Sequence, residues 1–152
     1  MMDTELASFL QEGIGIFLGT RNERLEPNGT RVVAVRVEGD GLHVVAFVPA
    51  GESREVLADL EANRQAALVF ARPPDERACQ LKGLFAGAHP AREEERAMVE
   101  AQWHRWLERL TTIGYPHETF AHWTTWPCMA IRVRVQAIFN QTPGPGAGAP
   151  LA

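Results

Sequence analysis

The chain is punctuated by turn chemistry at short, regular intervals, and between the turns stand runs of β-branched and aromatic residues too short for anything but strands. Gly15 to Thr20 and Arg31 to Val37 flank Pro27-Asn28-Gly29, and Gly39-Asp40-Gly41 separates the second run from Leu42 to Val48. Gly and Asn tolerate the backbone angles of tight turns, and branched side chains pack well on a pleated surface, so this stretch predicts antiparallel strands with a hairpin around Gly39 to Gly41. Ala66 to Ala71, closed by Arg72-Pro73-Pro74-Asp75, and Cys79 to Ala88 continue the rhythm, with Gly83 and Gly87 expected at bends or bulges. Met129 to Phe139 alternates Ile131, Val133 and Val135 with Arg132, Arg134 and Gln136, the period of a strand with one buried side.

Helical spacing interrupts the strands three times. Thr4 to Gln11 carries Leu6, Phe9 and Leu10 on one side, with Asp3 or Thr4 as cap. Ser53 to Ala62 places Val56, Leu57 and Leu60 on one face, with Ser53 as N-cap and Glu55 and Asp59 toward water. From Ala91 to near Gly114 a long helix is expected, its three glutamates Glu93 to Glu95 at the positive end of the helix dipole and Met98, Trp103, Leu107 and Leu110 spaced for burial. The fold class that follows is mainly β with helices (α+β), about six antiparallel strands with a short crossover helix and one long helix.

At 152 residues this is the size of one domain, 1–152, with residues 141–152 a Pro/Gly-rich tail. A formal charge of −4 speaks against a nucleic-acid partner, and no apolar run has bilayer length, so neither nucleic acid nor membrane is expected and a cytoplasmic location is the default. Cys79 and Cys128, far apart, read as free thiols, and the five histidines show no metal spacing, so no metal site is expected.

Three segments, taken in order, resemble the pyridoxamine 5'-phosphate oxidase-like, FMN-binding split-barrel family: Arg31-Val32-Val33-Ala34-Val35-Arg36; Ser53-Arg54 with Leu57, Leu60 and Asn63; and Gln80-Leu81-Lys82-Gly83. The span runs from Gly13 to Gly87. Thr20-Arg21 and the terminal run Gln141 to Gly148 (QTPGPGAG) are similar to an uncharacterised branch of that superfamily.

The resemblance implies an FMN-binding split β-barrel working as a homodimer, with the cofactor at the subunit interface and a small molecule as substrate. It implies that Arg31, Arg36, Ser53 and Arg54 surround the flavin phosphate, and that Gln80 and Lys82 border the ring. Local chemistry is compatible: a helix N-terminus offers free N–H groups, and an arginine offers a planar fork to phosphate oxygens. Glu55 stands where the family's Ser-Arg-Lys turn has its lysine, and nothing after Phe139 matches the oxidases' substrate-binding Arg-Leu-His segment. The expectation is therefore a flavin-dependent oxidoreductase other than the vitamin B6 oxidase. The alternative is a non-catalytic binding or carrier protein for flavin, haem or another flavin-like cofactor.

Overall fold

A computed structural model describes residues 1–151. In chain order the elements are α1 (Thr4–Leu10), β1 (Gly15–Arg21), β2 (Pro27–Arg31), β3 (Ala34–Val37), β4 (His43–Pro49), α2 (Arg54–Asn63), β5 (Gln65–Arg72), β6 (Arg77–Pro90), α3 (Arg96–Thr111) and β7 (Cys128–Asn140). The seven strands form one antiparallel sheet in the order β2-β1-β5-β6-β7-β4-β3.

The two outermost strands of that sheet are consecutive in sequence, and this curls it into a split barrel. The Val32 amide donates to the Ile16 carbonyl on β1 (3.0 Å), and the next amide, Val33, donates to the Phe47 carbonyl on β4 (2.9 Å). Neighbouring residues thus bond to opposite ends of the sheet. The barrel closes at this point, while β2 and β3 diverge on either side of it.

The expected single strand Arg31 to Val37 is therefore two strands, and the count is seven rather than about six. Pro27-Asn28-Gly29 is not a turn but the start of β2. The reversal comes earlier, where the Asn22 side-chain oxygen accepts from the amides of Arg24 (2.9 Å) and Glu26 (3.0 Å) and Leu25 takes a left-handed φ of 64°. Proline is tolerated because β2 is a sheet edge. Gly29 serves close approach: a Cβ there would stand 2.6 Å from the Phe17 ring.

The β3–β4 hairpin forms as expected, and β6 has its register shifts at Lys82/Gly83 and between Phe85 and Ala88, where Gly83 and Gly87 stand. The barrel is filled by Phe9, Leu10, Leu18, Val35, Leu68, Phe70, Leu81 and Ile131 among others. A second apolar cluster forms outside it, where Val99, Trp103, Leu107 and Leu110 of α3 cover Val33, Ala34, Val45, Phe47 and Ala130. The long helix starts later than its glutamates suggest. Glu93–Glu95 form a short 3-10 turn, and α3 proper begins at Arg96.

Asp59 also departs from expectation. It is buried rather than solvated, because its Oδ2 accepts from the Thr20 hydroxyl (2.8 Å) and the Asn28 amide (2.8 Å). Asn63 Nδ2 donates to the Arg21 carbonyl (2.7 Å). These bonds give Thr20-Arg21 a mechanical meaning: they fasten α2 to the β1–β2 pair and so fix where its N-terminus lies. The tail is likewise ordered by hydrogen bonds. The Asn140 amide donates to the Ala149 carbonyl, Leu151 to Ile138, and Gln141 to Ala78, so the chain folds back along the end of β7.

Candidate cofactor and ligand site

Strand register decides which side chains share a surface. Arg31 pairs with Phe17, Phe17 with Val69, Val69 with Gln80, and Gln80 with Phe139. Because residues opposite one another in a sheet point to the same side, these five form one row across β2, β1, β5, β6 and β7. The next row on that side is Gly29, Gly19, Ala67, Lys82 and Ala137. The alternate residues Leu18, Leu68, Leu81 and Ile138 fill the barrel, so both rows face outward. The face is apolar and open: Phe17 is 51% and Val69 38% exposed. Lys82 lies over the Phe139 ring, with its ammonium 5.4 Å from the centroid.

Arg31 is the hub where this face meets the α2 turn and α3. Its Nη2 stands 2.8 Å from a Glu52 carboxylate oxygen and donates to the Thr124 carbonyl at 2.6 Å. Its guanidinium lies over two indoles, 5.5 Å from the centroid of Trp103 and 5.0 Å from that of Trp123. Nε donates to the other Glu52 oxygen (3.3 Å), and Nη1 is buried and has no hydrogen-bond partner among the described residues.

Glu52 immediately precedes Ser53 and Arg54, so its bond to Arg31 brings the strand arginine to the head of α2. Ser53 occupies the N-cap position but makes no capping bond: its hydroxyl is turned to donate to the Ala50 carbonyl (2.8 Å). The first turn of α2 is left without a side-chain acceptor. Arg54 is exposed and makes no ion pair or side-chain hydrogen bond among the described residues. Arg36 sits elsewhere. On β3, it pairs with Glu95 ahead of α3 (2.6 Å) and lies over Phe47 (5.6 Å). Of the six residues singled out, Arg31 is tied to Glu52, the residue before Ser53 and Arg54; Gln80 and Lys82 lie farther along the same outer face; and Arg36 is held apart.

Two hollows share Arg31. One, of about 450 Å³, is bordered by Pro49, Gly51, Glu52, His122, Trp123 and Thr124 and adjoins the α2 turn. The other, of about 320 Å³, has Phe17 and Val69 in its floor and Trp103, Trp106 and Trp123 as walls. Sequence spacing pointed to Trp103 as a packing residue but carried no sign that three indoles meet, since Trp123 comes from the irregular segment after α3.

Elsewhere, Glu38, Asp40 and His43 bring ligand-type atoms within 4.8 Å of one another, but Arg132 occupies Glu38 through both of its oxygens. That guanidinium holds the Glu38 carboxyl below the usual carboxylate range, and the Leu42 amide (2.8 Å), followed by the His43 ring (2.6 Å), does the same for Asp40. Cys79 and Cys128 are free and buried, and burial pushes each thiol up to about 12. Neither is a nucleophile at neutral pH. Among the described residues no helix is long and apolar enough to cross a membrane.

An antiparallel sheet curled on itself, joined by the Val32–Val33 crossover and flanked by a long helix, defines the split β-barrel class. Solved structures share this fold with the chain at low sequence identity. Group A Streptococcus HupZ superposes with a TM-score of 0.60 at 14% identity, over 98% of this chain and 99% of that one. A putative pyridoxamine 5'-phosphate oxidase from Lactobacillus delbrueckii gives 0.57 at 12% identity, covering 91% and 93%. An FMN-binding protein from Syntrophomonas wolfei gives 0.55 at 14%, covering 91% and 88%. No protein-family profile and no curated protein sequence matches the chain. The fold is thus one that flavin-binding proteins use.

Proposed function

We propose that this chain is an FMN-binding flavoprotein that acts as an oxidoreductase on a small molecule, as a cytoplasmic homodimer with the cofactor at the subunit interface. The observation that carries this reading is the Arg31–Glu52 pair, which brings Arg31 to the residue just ahead of the uncapped head of α2, where Arg54 has no partner among the described residues. A phosphate there would meet two guanidinium forks and the positive end of a ten-residue helix. Glu52 is about half exposed and holds the place on Arg31 that a phosphate oxygen would take, so it has water to turn into. Arg36 would join the phosphate set only by exchanging Glu95 for it.

The outer face suits the ring. Gly19 and Ala67 leave a flat floor, Gln80 offers an amide to a ring edge, and Lys82 adds a cation one row away. The same exposed face, with Phe17 and Val69 on it, would be covered by a second subunit, which also excludes water from the ring. Bound flavin supplies the hydride chemistry, and the chain's part is to hold it and orient a partner molecule against it. Nothing in the site requires a protein acid or base.

The absorption spectrum of the freshly purified protein is the first test. A flavin spectrum supports the proposal, a Soret band moves the site to haem, and a colourless protein that takes up neither refutes it. Arg54→Ala then tests the phosphate seat. It should weaken FMN about tenfold, the worth of one charge-assisted hydrogen bond, and leave riboflavin unchanged. Equal weakening of both would put the phosphate elsewhere.

A further inference from the structure

The flavin reading uses the α2 turn and the β6 side of the outer face. It treats Phe17 and Val69 only as surface lying under a second subunit, and leaves unexplained the hollow above them on the other side of Arg31. Its floor is Gly15 and Phe17 of β1 with Val69 and Ala71 of β5, and Trp103, Trp106 and Trp123 wall it. Gly15 matters to its shape, because a Cβ there would stand 3.0 Å from the Trp106 ring. The one charged side chain at its edge is Arg31. That charge is already answered by Glu52 at 2.8 Å and spread over two indole faces, yet the two N–H groups of Nη1 have no acceptor among the described residues. An unfilled buried donor is costly, so a ligand that fills it gains twice, by apolar burial and by satisfying the group.

We propose that this hollow binds a flat, uncharged aromatic molecule of about two fused rings that carries one carbonyl or ring-nitrogen acceptor, the acceptor meeting Arg31 Nη1 and the rings lying among the three tryptophans. Size sets the ring number: a cavity of about 150 Å³ holds a benzene, and this one is about 320 Å³. Charge sets the neutrality. A second anion would have to share the guanidinium with the one that already holds it, the Glu52 carboxylate here or the flavin phosphate in the proposed holoprotein, whereas a neutral acceptor leaves either pair intact. Aromatic walls at a pocket with one fixed polar group give orientation as well as affinity. Nη1 is closed from water in this arrangement, so the acceptor reaches it when the partly exposed Trp123 ring, 5.0 Å from the guanidinium, turns aside. In the flavoprotein this molecule would be the reactant beside the flavin, and its binding goes beyond the flavin reading and is measurable without it.

Tryptophan fluorescence is the natural readout, since three of the chain's four tryptophans line the hollow. Three probes are titrated into the full chain: coumarin (two rings and a carbonyl), naphthalene (two rings, no acceptor) and coumarin-3-carboxylate (an anion). Coumarin should quench saturably and bind about tenfold tighter than naphthalene, with the carboxylate weaker than coumarin. Arg31→Met should erase coumarin's advantage while naphthalene binding stays. Trp123→Leu, at an exposed ring that the fold can lose, should weaken both and serves if Arg31→Met fails to fold. Equal affinity for coumarin and naphthalene in the unaltered chain, or tightest binding of the carboxylate, would sink the proposal. So would displacement of coumarin by FMN, which would make the hollow the flavin's own and leave the flavin reading standing. A protein that takes up no flavin yet binds coumarin as described supports the proposal and removes the flavin reading instead.

Discussion

Replacing Gln102 by leucine should cost about 3 kcal/mol of stability, and the sum can be worked from two bonds. β3 is the last strand of the sheet, so the Val35 groups on its open edge have no further strand to bond. The Gln102 side chain of α3 takes that role: its oxygen accepts from the Val35 amide at 3.0 Å and its nitrogen donates to the Val35 carbonyl at 2.8 Å. Val35 is 0% and Gln102 3% exposed, so water cannot replace either bond. Leucine leaves a buried N–H and a buried C=O unpaired, each worth about 1–3 kcal/mol, and returns about 1 kcal/mol through its own apolar burial. The net of about 3 kcal/mol corresponds to a fall of roughly 6–12 °C in melting temperature for a chain of this length. Urea unfolding monitored by far-UV circular dichroism measures it. Because Trp103 follows Gln102 and both Trp103 and Trp106 wall the apolar hollow, tryptophan emission should shift to the red at urea concentrations below the main transition. A loss under about 1 kcal/mol would refute the claim that this amide seals the sheet edge.

Thr20→Val removes one of the two neutral donors on buried Asp59 and should cost about 1–3 kcal/mol in urea unfolding, with a parallel loss of any affinity that depends on the placement of α2. Val69→Glu puts a charge in the middle of the open outer face and should convert a dimer to a monomer in analytical ultracentrifugation; an unchanged dimer would place the subunit interface elsewhere. Cys79 and Cys128 should resist a thiol reagent at pH 8 until the chain unfolds, then react together. The linkage has a definite sign. Folding raises these thiols from an ordinary 9.0 to about 12, so the stability they contribute is complete below pH 9 and is lost as pH rises toward 12.

What could be read along the chain was whatever depends on near neighbours. The hairpin around Gly39 to Gly41, the apolar face of α2, the bulges at Gly83 and Gly87 and the alternation of the last strand are each written in residues a few positions apart, and the structure has them all. Local spacing also marked Ser53-Arg54 as the head of a helix. It misplaced the turn before β2 because proline and glycine serve turns and sheet edges equally well, and only the Phe17 ring lying over Gly29 decides between them. It sent Asp59 to the solvent because its two donors, Thr20 and Asn28, lie 39 and 31 positions away.

That this chain is strand-rich, where most of its strands run and which turn heads α2 can all be read from residue order, because side-chain alternation and turn propensity act over a handful of residues. The site is a product of long-range packing. Arg31 and Arg36 look like a pair on one strand, but Val32 and Val33 bond to opposite ends of the sheet, so the strand breaks between them and sends one arginine to Glu52 and the other to Glu95. The meeting of Trp103, Trp106 and Trp123 around Arg31 depends on the same closure, which seats α3 and the segment after it against a residue more than seventy positions earlier. Contacts over that distance are set by how the sheet curls and what it must bury, and no local pattern encodes them.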